Sequence, residues 1–150
     1  MNIGILGAGN IAGSMARTIC GMAAQGRPVT LCAVASRSQE KADAFAKAYG
    51  IPRAYGSYAA MLNDPLVELV YIATPHSHHA EQIRQCVAAG KPVLCEKSFT
   101  ANAKQAEDVL REAETAGVYV AEAIWTRYMP ARGICLLYTS PSPRDRSLSR

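Results

Sequence analysis

The stretch GILGAGNIAG, residues 4–13, constrains this chain more than any other. Gly7, Gly9 and Ala12 fit the pattern G-x-G-x-x-G/A, and they sit between a short apolar run, NIGIL, and a segment with helical periodicity. That setting gives the pattern a physical meaning. Gly7 permits a tight turn out of a strand, and Gly9 leaves room for a diphosphate to approach the backbone. Ala12 allows the helix to pack closely on the strand. The helix opened by Asn10 and Ile11 then offers free N–H groups and the positive end of its dipole to the anion. The turn predicts a dinucleotide-binding α/β unit.

The remainder of the chain agrees. Apolar Ile11, Met15, Ile19 and Met22 recur at spacings of three and four, which predicts a helix over 10–25 with that face inward. VTLCAVAS (29–36) reads as a second strand, and SQEKADAFAKAYG (38–50) as a helix capped by Ser38 and stopped by Gly50. SYAAMLND (57–64) is a short helix and VELVYIATP (67–75) a third strand. HHAEQIRQCVAAG (78–90) is a helix ending at Gly90, PVLCEK (92–97) a fourth strand, and NAKQAEDVLREAETAG (102–117) a helix whose Asn102 and Gln105 form a capping box and which Gly117 ends. VYVAEA (118–123) is a fifth strand. Strands alternating with helices of this length imply right-handed βαβ units, hence a doubly wound, mostly parallel sheet with helices on both faces. The expected organisation is a dinucleotide-binding domain over 1–121, a crossover over 122–133 and a tail over 134–150.

Three segments carry the chemistry. After the second strand, where an NAD-binding domain usually places an acid against the ribose hydroxyls, stand Ser36 and Arg37, with Lys41 one turn further on. A hydroxyl and two cations suit a 2′-phosphate, which a carboxylate would repel. NADP is therefore the expected coenzyme, with NAD the alternative. After the third strand comes TPHSHHAE. Thr74 and Pro75 lead the turn into the ligand crevice, and His76 and His79 read as contacts to the ribose or nicotinamide side, with His78 facing water. No i, i+4 histidine pair shares a helix face and no acid or cysteine completes a set, so no metal is expected. After the fourth strand comes CEKS. Lys97, partly buried near a cationic nicotinamide, would exchange protons readily, oriented by Glu96.

GAGNIA, AVASRS, YIATPHSHH, AGKPVLCEKSFT and EAIWTRYMPA, in this order over residues 1–133, resemble the Gfo/Idh/MocA oxidoreductases. IPRAYGSY, VLCEK and EAIWTR resemble their NADP-dependent branch of dihydrodiol and D-xylose dehydrogenases. The resemblance implies an N-terminal Rossmann domain and a hydride moved between nicotinamide and a sugar, polyol or diol carbon. It implies that Glu96 and Lys97 match the family's Glu-Lys-Pro, with the lysine in proton transfer. It also implies that Arg37, Lys41, His76 and His79 place the coenzyme, and that Trp125 and Arg127 border the nicotinamide. The parent would be a homo-oligomer with a small-molecule substrate. Ser98 replaces the family's proline and so loses its fixed φ and missing N–H. A nucleotide-binding module without catalysis, or another Rossmann dehydrogenase using NAD, are the alternatives.

Composition excludes other classes. The net charge is +4, half of it from Arg144, Arg146 and Arg150 against Asp145, too mild and scattered for nucleic acid. No apolar run has the length of a membrane span or of a signal peptide. Five cysteines, an odd number without a CxxC pair, read as reduced thiols of a cytoplasmic protein. The end of the chain breaks the pattern: GICLLYTSPSPRDRSLSR is rich in Ser, Pro and Arg. CLLYTSPSPRD resembles the translation of a sequencing adapter, so the expectation is a non-native tail on a Rossmann half whose second α/β domain is missing.

Overall fold

A computed structural model describes residues 1–132; the expected tail over 134–150 lies outside the described residues. Six strands form one parallel sheet: β1 (Asn2–Leu6), β2 (Thr30–Ala35), β3 (Arg53–Tyr55), β4 (Leu69–Ile72), β5 (Val93–Cys95) and β6 (Val120–Glu122). Their order is β3-β2-β1-β4-β5-β6. Helices α1 (Asn10–Ala24), α2 (Gln39–Tyr49), α3 (Tyr58–Leu62), α4 (His79–Ala88) and α5 (Ala103–Ala116) fill the crossovers. The strand order reverses between β1 and β4, where the loops leaving neighbouring strands diverge and open a crevice.

The predicted caps are present. Ser38 accepts from the Lys41 N–H (3.4 Å), and Gly50 (φ 66°) and Gly117 (φ 67°) end α2 and α5 in the left-handed conformation. Asn102 accepts from the Gln105 N–H (2.9 Å), and Gln105 Oε1 accepts in return from Ala101 (3.2 Å). Short 3₁₀ turns stand at His76–His78 and Trp125–Tyr128.

Two expectations need correction. The sheet has a strand, β3, that the sequence reading omits. Arg-Ala-Tyr is too short for a period-two pattern, and it exists because Ala33–Ala35 offer a free edge to pair with. The buried face of α1 is also only partly the one expected: Ile19 is buried and Met15 packs against the core, but two of the four positions are not. Ala12, Gly13, Ala16 and Ile19 face the sheet, while Ile11 (46% exposed) and Met22 (38% exposed) point outward. Small residues let the helix axis approach the sheet, so they, rather than the bulkiest ones, take the contact.

Successive β4 residues serve opposite faces, as strand pleating requires. Val70 and Ile72 join Leu6, Ile83, Val93 and Val109 beneath α3, α4 and α5. Tyr71 joins Ile5, Val34 and Phe45 on the side of α1 and α2. Since α1 and α2 follow β1 and β2, the described residues cover that second side over only half the sheet. A concavity of about 670 Å³, lined by Leu69, Pro92, Leu94, Tyr119 and Ala121, remains over the other half.

The one buried carboxylate among the described residues, Asp64, ties β3 to the loop before β4. It accepts from the Leu66 N–H (2.9 Å) and the Tyr55 hydroxyl (2.8 Å). Arg53 Nε lies 3.0 Å from Asp64 Oδ2, but its N–H is not aimed at that oxygen, so the contact is an ion pair without a hydrogen bond. The Leu66 N–H, helped by Tyr55 and Arg53 against the cost of burial, holds the carboxyl below its ordinary value. No helix among the described residues is long and apolar enough to cross a membrane.

Candidate coenzyme-binding and active site

Gly7 leaves β1 at φ 107°, and a Cβ there would meet the Ala73 carbonyl oxygen at 2.8 Å. Glycine is obligatory on both counts, since the β1 and β4 exits pass almost in contact. Gly9, the N-cap of α1, is different. Its φ is −97° and nothing lies within 4 Å of where its Cβ would be. The space a side chain would fill faces the crevice. No side chain caps α1, and its first turn holds no acidic residue. Its opening N–H groups are thus available to an anion. Asn10 and Ile11 are exposed at this mouth, and Ala12 is fully buried behind it. These residues fit a dinucleotide diphosphate.

Gly7, Ala8 and Gly9 share a depression of about 220 Å³ with Ser36, Arg37, Lys41, Tyr58, Thr74 and Pro75. The structure therefore brings together the β1 turn, the cationic end of β2 and the start of the β4 loop. Ser36 is buried, and its N–H donates to the Tyr55 carbonyl at 2.9 Å. Arg37 and Lys41 are exposed and form no ion pair with a carboxylate among the described residues. Tyr58 is a lining residue that the sequence reading missed. Its signal, an aromatic just after the capping serine of a short helix, is indistinguishable in one sequence from an ordinary core aromatic.

Past β4, Thr74 and Pro75 line the depression, but the Thr74 hydroxyl is engaged with Gln82 Oε1. His76 is exposed but lines neither this depression nor the hollow beside Glu96, and His78 is exposed. His79 requires a correction. It is 1% exposed, with Nδ1 2.9 Å from the Ser98 carbonyl oxygen and Nε2 2.9 Å from that of Thr74. Both ring nitrogens lie against main-chain carbonyl oxygens, so neither is free for the expected coenzyme contact. It sits between the β4 and β5 loops instead, within hydrogen-bond distance of one carbonyl oxygen from each.

Past β5, Glu96 accepts from the Tyr71 hydroxyl through one oxygen and from the Lys97 N–H (3.1 Å) through the other. Burial first, then the Glu96 carboxylate, pushes the Tyr71 phenol far up, so it stays a donor. Lys97 itself is exposed, which corrects the expectation of partial burial. Glu96 also does not pair with its ammonium; it fixes the lysine through the main chain. The Lys97–Ser98 peptide bond is cis, and the Ser98 carbonyl oxygen lies 2.9 Å from His79 Nδ1. Trp125 lines a second hollow with Ile11, Met15, Tyr71 and Glu96, next to the carboxylate. Arg127 is exposed and lines neither hollow. No cluster of three or more metal-ligating side chains occurs among the described residues.

A phosphate-accepting glycine turn at the reversal of a 3-2-1-4-5-6 parallel sheet defines a dinucleotide-binding domain of the Rossmann class. The chain belongs to the Gfo/Idh/MocA family: residues 1–123 match the family model described as an oxidoreductase family with an NAD-binding Rossmann fold. It is 41% identical over 128 residues to mouse trans-1,2-dihydrobenzene-1,2-diol dehydrogenase, covering 85% of this chain and 38% of that protein. It is 37% identical over 135 residues to D-xylose 1-dehydrogenase (NADP(+)) of Hypocrea jecorina, covering 85% and 34%. Among solved structures it is similar to an NAD binding oxidoreductase from Klebsiella pneumoniae, with TM-score 0.81, 30% identity and coverage of 92% and 38%. It is also similar to a 3-ketoreductase from Actinomadura kijaniata solved with NADP, with TM-score 0.82, 27% identity and coverage of 92% and 43%. The chain thus spans under half the length of these relatives.

Proposed function

We propose that this chain is the coenzyme-binding part of a cytoplasmic NADP-dependent oxidoreductase acting on a sugar-like or diol carbon, its dinucleotide unit spanning residues 1–121. The observation that carries the reading is the shared depression in which the open Gly9 cradle meets Ser36, Arg37 and Lys41. The helix mouth answers a diphosphate. The hydroxyl and two cations, without carboxylate partners among the described residues, answer one further phosphate on the adenosine ribose. The relatives named as a D-xylose 1-dehydrogenase (NADP(+)) and a dihydrodiol dehydrogenase support both the coenzyme and the substrate class.

When bound, the nicotinamide supplies hydride transfer. The residues of this chain do the rest. Gly9, Asn10 and Ile11 seat the diphosphate, Thr74 and Pro75 line its path, and Trp125 walls the hollow beside Glu96. Lys97, at the carboxyl end of β5, takes or returns the proton of the substrate hydroxyl through its Nζ. Glu96, held by Tyr71, fixes the backbone from which that lysine projects. A homo-oligomer is the assembly proposed for the parent enzyme.

Calorimetric titration of the chain with NADP and with NAD tests the reading. Wild type should bind NADP more tightly. Arg37→Ala should weaken NADP about tenfold or more, the scale of one lost hydrogen bond to a charged group, and leave NAD nearly unchanged. Equal affinities that ignore the substitution refute NADP selection, and no binding of either refutes the dinucleotide site.

A further inference from the structure

The depression beside Arg37 contains one phenol, that of Tyr58. Several contacts place it there before any ligand arrives. Ser57 caps α3 by accepting from the Ala60 N–H at 3.2 Å. A Cβ on Gly56 would stand 2.8 Å from Gln39 Oε1 and 3.2 Å from Gln39 Cα, so the absence of a side chain lets the β3–α3 loop press on the start of α2. Gln39 Nε2 donates back to the Ala54 carbonyl at 3.2 Å. The helix bearing Lys41 and the loop leading into Tyr58, the first residue of α3, are thus bolted together beside the depression.

The Tyr58 ring packs against the apolar cluster under α3, so its position is set by the core. Its hydroxyl forms no hydrogen bond among the described residues and is not sealed from water. Burial pushes the phenol up while the neighbouring Arg37 guanidinium draws it down, which keeps it a neutral donor close to a cation. A phosphomonoester presents three strong acceptor oxygens, more than two flexible surface cations satisfy with fixed geometry.

We propose that Tyr58 is a specificity-determining residue for the coenzyme, its hydroxyl donating to the phosphate on the adenosine 2′ carbon beside Ser36, Arg37 and Lys41. The proposal rests on the NADP reading above and adds a rigid donor to it. Arg37 and Lys41 supply charge, and Tyr58 supplies direction, because its ring is anchored and loses little freedom when the ligand binds.

The test uses 2′,5′-ADP and 5′-AMP, which differ in the 2′-phosphate and involve no nicotinamide. Tyr58→Phe keeps the ring and its packing. It should weaken 2′,5′-ADP about tenfold, the scale of a hydrogen bond to a charged group, and leave 5′-AMP unchanged. The ³¹P resonance of the bound 2′-phosphate should move between wild type and Tyr58→Phe, while that of the 5′-phosphate should not. Unchanged affinity for both ligands, or equal loss for both, overturns the proposal. A wild-type chain that binds the two ligands alike overturns the NADP reading itself, an outcome distinct from failure of Tyr58 alone.

Discussion

The two fingerprint glycines should separate cleanly when each is changed to alanine. At Gly7 the φ of 107° is costly for a residue with a Cβ, about 1–2 kcal/mol. The added atom would also lie 2.8 Å from a backbone oxygen that cannot swing aside, an overpacking cost of about 1–3 kcal/mol. Gly7→Ala should therefore lose about 2–5 kcal/mol of stability, a fall in Tm of about 5–15 °C for a chain of this size. At Gly9 the backbone is in an ordinary region and the space is open, so Gly9→Ala should melt within about 1 kcal/mol of wild type. The same methyl enters the diphosphate cradle, and NADP should bind about 10- to 100-fold more weakly, the equivalent of one or two lost charge-assisted bonds. Circular-dichroism melts and calorimetric titration of both variants decide the matter. A Gly9→Ala protein that melts as early as Gly7→Ala, or that binds NADP like wild type, refutes the assignment of structural and ligand roles.

Asp64→Asn should destabilise the fold by about 3 kcal/mol at neutral pH, because it leaves Arg53 beside a neutral amide. The Asp64 carboxyl is held below its unfolded value, so its contribution is complete above that value, near 3.9, and fades as pH falls through the lower folded value. The gap in urea midpoint between variant and wild type should accordingly narrow below about pH 4, and a gap indifferent to pH would count against this account. Iodoacetamide should modify exposed Cys20 in the native state, with Cys32, Cys86 and Cys95 reacting on unfolding. Burial pushes the Cys86 thiol up to about 12, far from its reactive form. Mass spectrometry showing early labelling of Cys86 or Cys95 would contradict the packing under α4.

Elements whose signals are local were legible in the sequence. The glycine turn, the Ser38 and Asn102 caps and the stops at Gly50 and Gly117 each depend on a few adjacent residues, and all stand in the structure. What escaped depends on partners distant in the chain. β3 is a strand because β2 has an open edge, and α1 buries alanines because the sheet demands close approach. His79 shows the same limit: its position suited a coenzyme contact, but two main-chain carbonyls from different loops claim its ring. Tyr58 enters the depression through the approach of Gly56 to Gln39, residues 17 apart in the chain.

The imidazole seated between Thr74 and Ser98 has a dynamic consequence. The segment that lines the groove and the segment that projects Lys97 are coupled through one buried ring, so displacing either carbonyl disturbs the seat of the other. Backbone amides on the two sides should then gain protection from deuterium in step when nucleotide is added, as a single hinged plate rather than two loose flaps.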